Sequence, residues 1–267
     1  MAQYVDKLKD RIPSVGFISS PAWSDPTPFE FTTVVEEQVI TQQALLLLPD
    51  FDYSLDSIAS ELVAERLSLC AKSLQTAGCH LVVQVGSPFA WANVASEAQA
   101  RQRNDRMTKA ANIPSVMTTL AIVDALRMHR IKNIAVNCTY YDLSWKKDFS
   151  GFLELCGFNV LHSSNLTEQK LVGEEEDVFE YAWKLTPNMV KDSVYAVKKA
   201  APEAEAMVIT GTGARTLEIL CELEAIAQCP VIPADTVLYW ISARYLNLTL
   251  NSKMGRFTHL PFSAANG

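Results

Sequence analysis

Short apolar segments alternate with amphipathic segments along nearly the whole chain, and this alternation limits the available folds more than any other feature. The apolar segments are rich in β-branched residues, are continuous rather than alternating with polar residues, and are bounded by Gly, Pro, Ser or Asn, as buried parallel strands are. Six segments fit this description: 14–19 (SVGFIS), 80–85 (HLVVQV), 113–117, 133–137 (NIAVN), 206–210 (AMVIT) and 230–232. The pattern predicts an α/β fold in which helices cover both faces of parallel sheets.

The segments between these strands carry apolar residues at three- and four-residue spacing, which predicts helices. Four helices are predicted, at 55–77, 143–156, 187–201 and 215–228. Gly78 and Gly157 directly follow the first two, where glycine commonly ends a helix. An acidic stretch, 173–181 (GEEEDVFEY), is predicted to be the solvated start of a helix.

The second half of the chain repeats the order of features in the first half. In each half a strand ends in small polar residues, a second strand runs into a glycine turn, and a third strand after a proline leads to a helix that ends in arginine. The matching pairs are 16–21 (GFISSP) with 134–141 (IAVNCTYY), 81–88 (LVVQVGSP) with 207–214 (MVITGTGA), and 113–127 with 229–244. A duplicated α/β unit explains this order, although any two α/β units share part of it.

The repeat divides the chain into two expected halves. The first covers 14–112 plus 230–267, and the second covers 113–229. Two equivalent halves each offer the carboxyl ends of their strands to the other. Because ligands bind at such strand ends in open α/β sheets, we expect the functional site in a cleft between the halves.

Charge and hydropathy exclude several classes of partner. The 267 residues carry a formal net charge of −7, so no basic face is expected, and we expect no nucleic acid partner. The longest apolar run, 44–49, is far too short to span a bilayer, so we expect no membrane partner. The N-terminus is polar and mixed in charge, unlike a signal peptide, so we expect a cytoplasmic protein. The oligomeric state stays open, a homo-oligomer included.

The cysteines and histidines do not predict a metal or redox site. Six cysteines, at 70, 79, 138, 156, 221 and 229, form no CxxC pair. Most lie within apolar patterns, so we expect reduced thiols packed as small hydrophobic residues. The four histidines, at 80, 129, 162 and 259, lack the spacing of metal ligands, and we expect no metal.

Two glycine turns occupy equivalent places in the two halves, 86–88 (GSP) and 210–213 (TGTG). A glycine after a buried strand lets the backbone approach a ligand, and Ser87 adds a hydroxyl donor. If the two turns face each other at helix N-termini, their N–H groups suit an anion, particularly a carboxylate. The alternative is that both are ordinary βα turns. A nucleotide is not expected, because GTGARTL (211–217) neither completes GxGxxG nor contains a P-loop lysine.

A third cluster, 137–142 (NCTYYD), follows the first strand of the second half. Such a run of polar and aromatic residues exceeds what a simple turn requires. A tyrosine at this place can donate a hydrogen bond to a developing oxyanion. The alternative is that one tyrosine packs in a core while the other lies at the surface.

These motifs resemble a known family. GSPFAW (86–91), NCTYYD, GTGARTL and PVIPADTVLYW (230–240) are similar, in order and spacing over roughly 15–245, to the arylmalonate decarboxylase and maleate cis-trans isomerase branch of the aspartate/glutamate racemase superfamily. The resemblance implies two pseudosymmetric flavodoxin-like halves, no cofactor or metal, and a small carboxylate substrate held between the halves. It also implies that the racemases and isomerases use one cysteine from each half, whereas the decarboxylase keeps only the second, which protonates an enediolate.

The chain departs from this pattern at both cysteine positions, which fall on Gly86 and Gly211. Glycine cannot act as acid, base or nucleophile, so two-base racemisation and cysteine addition are both disfavoured. The resemblance places Asp235 at a substrate-contacting position, and a cap on the following helix is its alternative role. The candidate catalytic residues are Tyr140, Ser87 and Asp235, and the candidate substrate-binding residues are Gly86, Pro88, Tyr141, Gly211, Thr212, Gly213 and Ser20.

We therefore expect a cofactor-independent lyase that acts on a small carboxylic acid, either a decarboxylase or a related enolate-forming enzyme with an oxyanion hole between the halves. Phe89, Trp91, Tyr239 and Trp240 either line an apolar pocket for the leaving carboxylate or pack in the core, as expected for Trp240. Two alternatives stay open. One is an isomerase or racemase of a small dicarboxylate that uses acid/base groups other than cysteine, and the other is a non-catalytic carboxylate-binding protein.

Overall fold

Two four-stranded parallel sheets form the framework of the molecule. The computed structural model describes residues 12–20 and 25–259. The first sheet has the order β2-β1-β3-β4, with β1 Ser14–Ser19, β2 Ile40–Leu45, β3 Leu81–Gln84 and β4 Ser115–Met117. The second has the order β6-β5-β7-β8, with β5 Asn133–Asn137, β6 Asn159–Ser164, β7 Ala206–Ile209 and β8 Val231–Pro233. The two orders are equivalent, which confirms the predicted α/β fold with two pseudosymmetric halves.

Helices connect the strands within each half. The first-half helices are α1 Thr27–Val34, α2 Leu55–Ala59, α3 Glu61–Thr76, α4 Pro88–Trp91, α5 Glu97–Ala111 and α6 Thr118–Met128. The second-half helices are α7 Leu143–Leu155, α8 Pro187–Ala200, α9 Leu220–Ala227 and α10 Thr236–Leu246. Short 3₁₀ segments lie at Pro49–Phe51, Val178–Ala182, Thr212–Ala214, Leu217–Ile219 and Ser252–His259.

The edge strands β2 and β6 are absent from the sequence prediction. Their sequences, ITQQAL and NVLHSS, are too polar to resemble buried strands. Each pairs with one neighbour only, β2 with β1 and β6 with β5, and most of their residues are partly or fully exposed. An edge strand tolerates polar residues because water reaches it, so composition alone does not reveal it.

The predicted helix 55–77 is broken into two helices at Ser60. This residue has extended backbone, and its hydroxyl accepts a hydrogen bond from the Val63 amide at 3.3 Å. A side-chain cap of this kind starts a new helix and competes with continuation of the previous one. The apolar periodicity runs through the break, which explains why the sequence predicts one helix.

The predicted boundary between the halves is wrong for two strands. β4 pairs with β3, with Val82 beside Ser115, although the division after residue 112 assigns β4 to the second half. β8 pairs with β7, with Val208 beside Ile232, although the division after residue 229 assigns β8 to the first half. Each strand pairs within the sheet of its own half, and only the helix that follows it reaches the other half.

The helices that follow these two strands cross between the halves. α6 follows β4 yet contacts β8 of the second sheet, and α10 follows β8 yet contacts β3 of the first sheet. The two helices also pack against each other, and most of their residues are buried. This exchanged pair joins the halves, so that the carboxyl ends of both sheets face a common cleft.

The cysteines follow the sequence prediction with one exception. All six are free, and Cys79, Cys138, Cys156 and Cys229 are buried. Cys70 is partly buried, whereas Cys221 is exposed. Among the helices of the described ranges, none combines the length and apolar character that crossing a membrane requires.

Candidate active site

A cavity of about 780 Å³ lies where the carboxyl ends of the two sheets meet. The segments after β1, β3, β5 and β7 all contribute to it, so equivalent parts of both halves build it. Ligands bind at this place in open α/β sheets. The first half contributes Ser20, Tyr53, Ser54, Leu55, Asp56, Gly86, Ser87, Pro88, Phe89 and Asn93, and the second half contributes Tyr140, Tyr141, Asp142, Ser144, Trp145, Phe179, Ala182, Trp183, Gly211 and Thr212.

Most of the candidate residues predicted from the sequence are brought together here. Those that line the cavity are Ser20, Gly86, Ser87, Pro88, Tyr140, Tyr141, Gly211 and Thr212. Gly213 lies directly behind the lining, where its N–H donates a hydrogen bond to Tyr140 Oη. Asp235 is the candidate that the structure does not bring to the cavity.

Gly86 and Gly211 lie at equivalent turns and face one cavity, as the repeat predicts. Their φ angles are +114° and +89°, a region that L side chains rarely adopt. A Cβ atom at Gly211 would lie 2.6 Å from both Cζ and Oη of Tyr140, and one at Gly86 would lie 3.0 Å from Cε2 of Phe89. Tyr140 therefore fills the space that a side chain at residue 211 would need.

The Tyr140 hydroxyl is held from one side only. Its oxygen accepts a hydrogen bond from Gly213 N–H at 3.2 Å, and within the described residues no acceptor takes its proton. Burial raises the pKa of Tyr140 to about 12, although the Gly213 hydrogen bond opposes the rise. The hydroxyl is thus protonated at neutral pH and can donate to a molecule in the cavity.

Thr139 sets the direction of Tyr140 through an unusual backbone conformation. Its φ is +41°, which is strained for a β-branched residue. Three hydrogen bonds hold it there. Its N–H donates to Asn137 Oδ1 at 3.1 Å, its hydroxyl donates to the Thr210 carbonyl at 2.9 Å, and its carbonyl accepts from the Leu166 amide at 2.9 Å. The bond to Thr210 couples the Tyr140 turn to the residue that precedes Gly211.

The Ser87 hydroxyl belongs to a buried hydrogen-bond cluster. The single Thr119 hydroxyl proton is donated to the Ser87 carbonyl at 2.7 Å, so in the 3.0 Å contact between the two hydroxyls Ser87 is the donor. Ser87 Oγ also accepts from Trp91 Nε1 and from Thr210 Oγ1, each at 3.2 Å. The proton of Ser87 is therefore directed to Thr119, and its hydroxyl joins the two halves.

Tyr141 lies deeper than Tyr140. It is 1% exposed, and burial raises the pKa of its hydroxyl, which lies beside the side chains of Ser87 and Thr210. Its ring packs against Trp145, with ring centroids 5.1 Å apart, and against Trp91, with centroids 6.3 Å apart. Tyr141 thus lines the cavity, and its ring is fixed by packing against the neighbouring aromatic rings.

Asp235 has neither of the roles expected from the sequence. Its carboxylate accepts hydrogen bonds from the Thr216 amide at 2.6 Å and from the Thr216 hydroxyl at 2.7 Å, and it is 1% exposed. It makes no side-chain capping hydrogen bond to α10. Because both oxygens are engaged outside the cavity lining, we assign Asp235 to fixing the turn that follows Gly211.

Arg215, in the same turn, ties the second half to the first. Its guanidinium forms an ion pair with Glu30 of α1, and it donates to the Thr212 carbonyl at 3.3 Å. Tyr239 completes the group by donating to Glu30 at 2.7 Å. Tyr239 thus serves this ion pair rather than the cavity, and Trp240 packs in the core at 1% exposure, as predicted.

Long helices do not begin at the two glycine turns, contrary to the sequence expectation. The turn at 86–88 leads into α4, which has only four residues, and the turn at 210–213 leads into 3₁₀ segments. The predicted helix 215–228 begins only at Leu220, because Arg215 has a φ of +41° and Thr216 is held by Asp235. Helix dipoles therefore contribute little here, and local N–H groups remain as the anion donors.

Two such N–H groups lie at equivalent positions. Within the described residues, neither Ser87 N–H nor Thr212 N–H has a hydrogen-bond acceptor. Each belongs to the residue directly after a cavity glycine, Gly86 or Gly211. The Thr212 side chain adds a hydroxyl at the same wall.

Part of the cavity lining is aromatic, and we call this part the aromatic wall. Trp145 contacts Phe179 with ring centroids 5.0 Å apart, and Trp183 and Tyr53 also line the cavity. Phe179 lies in the acidic stretch 173–181, predicted as a solvated helix start, which instead contains a 3₁₀ segment that packs at the cavity. These residues are absent from the sequence prediction, although aromatic side chains within an acidic stretch are a signal that could have indicated them.

Among the described residues, no lysine, arginine or histidine lines the cavity. Its two carboxylates are engaged by neighbours: Asp142 accepts from the Trp145 amide at 2.7 Å, and Asp56 accepts from Asn93 Nδ2 at 2.7 Å. A ligand anion must therefore be held by uncharged donors.

Cysteine and metal ligands are not found at this site. None of the six cysteines lines the cavity, and Cys138, the nearest in sequence to Tyr140, is fully buried with a pKa raised by that burial. In the described ranges, no group of three or more His, Cys, Asp or Glu side chains is placed to hold a metal ion.

Comparison with solved structures finds the same fold in arylmalonate decarboxylase and in maleate isomerases. Unliganded arylmalonate decarboxylase is 18% identical, with a TM-score of 0.76 over 92% of this chain and 99% of that chain. The maleate isomerase from Pseudomonas putida S16 is 16% identical, with a TM-score of 0.74 over 91% of this chain and 97% of that chain. A maleate cis-trans isomerase variant from Nocardia farcinica, with a covalently bound succinylcysteine intermediate, is 14% identical, with a TM-score of 0.72 over 92% and 98% of the two chains.

Sequence comparisons give the family. No curated protein sequence matches the chain. The family model described as arylmalonate decarboxylase matches residues 46–258, which include both glycine turns, Tyr140 and the whole second sheet. The chain therefore belongs to the arylmalonate decarboxylase family.

Proposed function

We propose that this protein is a decarboxylase that removes one carboxylate from a substituted malonic acid through an enediolate, without a cofactor and without a catalytic thiol. The observation that carries this proposal is the lining of the cavity, which combines uncharged donors with aromatic side chains and, among the described residues, includes no cationic side chain. Family membership supports the reaction class.

The uncharged donors suit the carboxylate that stays. Ser87 N–H, Thr212 N–H and the Thr212 hydroxyl are placed at equivalent turns, where they can bind the two oxygens that gain charge as the enediolate forms. Fixed donors of this kind stabilise the transition state more than the ground state, each by roughly 3–4 kcal/mol.

The aromatic wall suits the carboxylate that leaves. A carboxylate placed against Trp145 and Phe179 has no cation to pair with, so its charge is poorly solvated until it leaves as carbon dioxide. The same rings offer stacking surface to an aryl substituent. A volume of about 780 Å³ accommodates a substituted malonate.

The isomerase alternative is less well supported. An isomerase of a dicarboxylate keeps both carboxylates bound throughout, and the part of the lining that the structure describes offers no lysine, arginine or histidine for the second. Cysteine addition also lacks a nucleophile here, since the cysteines lie outside the lining.

The experiment is a substrate panel with two detectors. Arylmalonates, alkylmalonates and maleate are incubated with the pure protein, while carbon dioxide release and formation of the trans isomer are followed. We expect carbon dioxide from an arylmalonate and no isomerisation of maleate. Isomerisation without carbon dioxide, or binding without any turnover, would instead favour one of the two alternatives.

A matched pair of variants tests whether the reaction uses this cavity. Thr212→Val removes a cavity hydroxyl at nearly constant side-chain volume. It should lower kcat for the same substrate, whereas Thr76→Val, an exposed change on α3, should not. Equal rates for all three proteins would mean that the reaction occurs outside this cavity.

A further inference from the structure

The cavity contains few groups that can deliver a proton to carbon. The titratable side chains in its lining are Tyr53, Asp56, Tyr140, Tyr141 and Asp142. The two aspartates are already engaged as acceptors, Asp56 by Asn93 Nδ2 and Asp142 by the Trp145 amide.

The surroundings of the hydroxyl groups distinguish the two neighbouring tyrosines. The Tyr141 hydroxyl lies beside the side chains of Ser87 and Thr210. The Tyr140 hydroxyl lies at Gly211, where a Cβ atom would be 2.6 Å from its oxygen. The Tyr140 hydroxyl therefore occupies the space beside Gly211 that a side chain at residue 211 would need.

We infer that Tyr140 is the acid that protonates the substrate carbon after carbon dioxide leaves, an inference that rests on the proposed decarboxylase function. The bond between the carbon and the departing carboxylate breaks, and its electron pair stays with the substrate as an enediolate. The carbon then takes the proton from Tyr140 Oη, which becomes a phenolate, and the product is a monocarboxylate. Water entering through the cavity mouth returns a proton to the phenolate.

The surroundings of Tyr140 suit this cycle. Its oxygen accepts from Gly213 N–H, so its own proton is available for transfer. Burial raises the pKa of Tyr140, which keeps the hydroxyl protonated. The Gly213 N–H favours the transient phenolate, and so does the Arg215 charge, against a larger opposing effect of the Asp235 charge.

At Gly86, in the other half, the surroundings favour proton transfer to the substrate carbon from one side only. Its nearest side chains are the ring of Phe89 and the amide of Gln84, and neither is an acid. Among these neighbours of the two turns, only Tyr140 beside Gly211 offers a proton, so we expect a planar enediolate between the turns to receive it from the Gly211 side. A prochiral substrate should give one enantiomer.

The test uses a prochiral 2-aryl-2-methylmalonate in D₂O with wild type, Tyr140→Phe, Tyr53→Phe and the exposed control Tyr195→Phe. Three quantities are measured: carbon dioxide release, the handedness and deuterium content of the product, and exchange of added ¹³CO₂ into the substrate carboxylate. The exchange reports enediolate formation without any proton transfer to carbon. Phenylalanine keeps the ring, so packing beside Gly211 is retained.

We expect wild type and the exposed control Tyr195→Phe to give one deuterated enantiomer. Tyr53→Phe changes the cavity lining, so its rate can differ, but its product should keep the same handedness. Tyr140→Phe should give racemic product or none, while it still exchanges ¹³CO₂. Three results would overturn the assignment of Tyr140 while leaving the decarboxylase proposal standing. The first is product of unchanged handedness from Tyr140→Phe, and the second is loss of handedness in Tyr53→Phe instead. The third is loss of both product and ¹³CO₂ exchange in Tyr140→Phe. A wild type that releases no carbon dioxide from any malonate would overturn the proposed function, and this inference with it.

Discussion

The hydroxyl of Thr210 donates a hydrogen bond of 3.2 Å to the hydroxyl of Ser87, and this bond joins the ends of the central strands β7 and β3 across the two halves. Both residues are almost fully buried and directly adjoin the cavity glycines. The cleft is therefore not an open gap, since a polar cluster ties its two walls together at the base.

This cluster should contribute to stability. Ser87→Ala leaves Trp91 Nε1 and the Thr210 hydroxyl without their acceptor, which should lower the free energy of unfolding by about 1–3 kcal/mol. In a double-mutant cycle with Thr210→Val, urea unfolding should give a coupling of about 0.5–3 kcal/mol. Pairing Ser87→Ala with Thr76→Val should be additive within about 0.5 kcal/mol. Additivity in both cycles would show that the bond contributes nothing.

The position of Tyr140 should depend on the absence of a side chain at Gly211. Gly211→Ala places a Cβ atom against the phenol, so it should displace the hydroxyl and abolish turnover. Gly157→Ala is a matched control, because Gly157 has the same φ of +89° but no atom within 4 Å of the added Cβ.

Both variants should lose about 1–3 kcal/mol of stability from backbone strain, as thermal unfolding will report. Only Gly211→Ala should lose activity, as measured by kcat. Full activity in a folded Gly211→Ala protein would contradict the placement of Tyr140.

Glu97 should make stability fall in acid. Hydrogen bonds from Arg127 and, secondarily, Arg101 lower the pKa of Glu97 from 4.5 to about 2, against the effect of burial. A carboxylate with a lowered folded-state pKa stabilises the protein above its unfolded pKa, and that contribution is lost as the pH falls from about 4.5 toward 2.

The measurement is the free energy of unfolding of wild type and of Glu97→Gln, taken from about pH 6 down to about pH 2 so that it covers the range in which the Glu97 contribution is lost. The difference between the two proteins should shrink as the pH falls. A constant difference would show that the ion pairs between α5 and α6 do not depend on the Glu97 charge.

The sequence predicted the parts of the site that leave a local pattern. Buried central strands show as continuous apolar segments, and the turns after them show as small residues. The sequence therefore predicts that Gly86, Gly211 and Tyr140 share one cleft, and all three line the cavity. The repeat then predicted that equivalent turns of the two halves share one cleft. Burial and backbone conformation, which local sequence encodes well, explain this success.

The remaining parts depend on partners that are distant in the chain. Asp235 binds Thr216, 19 residues away, and Arg215 pairs with Glu30, 185 residues away. No spacing rule links such residues, so the turn they hold was predicted as part of a helix. Likewise, Phe179 reaches the cavity only because the chain after β6 folds over it.

Thiol modification should spare the protein's activity. Cys221 is exposed, and the other cysteines are buried or partly buried, so iodoacetamide should label the native protein mainly at this position. Peptide mass spectrometry will give the labelled site. Rapid labelling of Cys138 in the folded protein would contradict its burial.

The most direct test of the central claim is carbon dioxide release from an arylmalonate before and after this alkylation. Decarboxylation in a cavity that contains no cysteine predicts turnover by the unmodified protein and an unchanged kcat once every accessible thiol is blocked. Absence of carbon dioxide in both samples, or its loss upon alkylation while the protein remains folded, would contradict a thiol-independent decarboxylase.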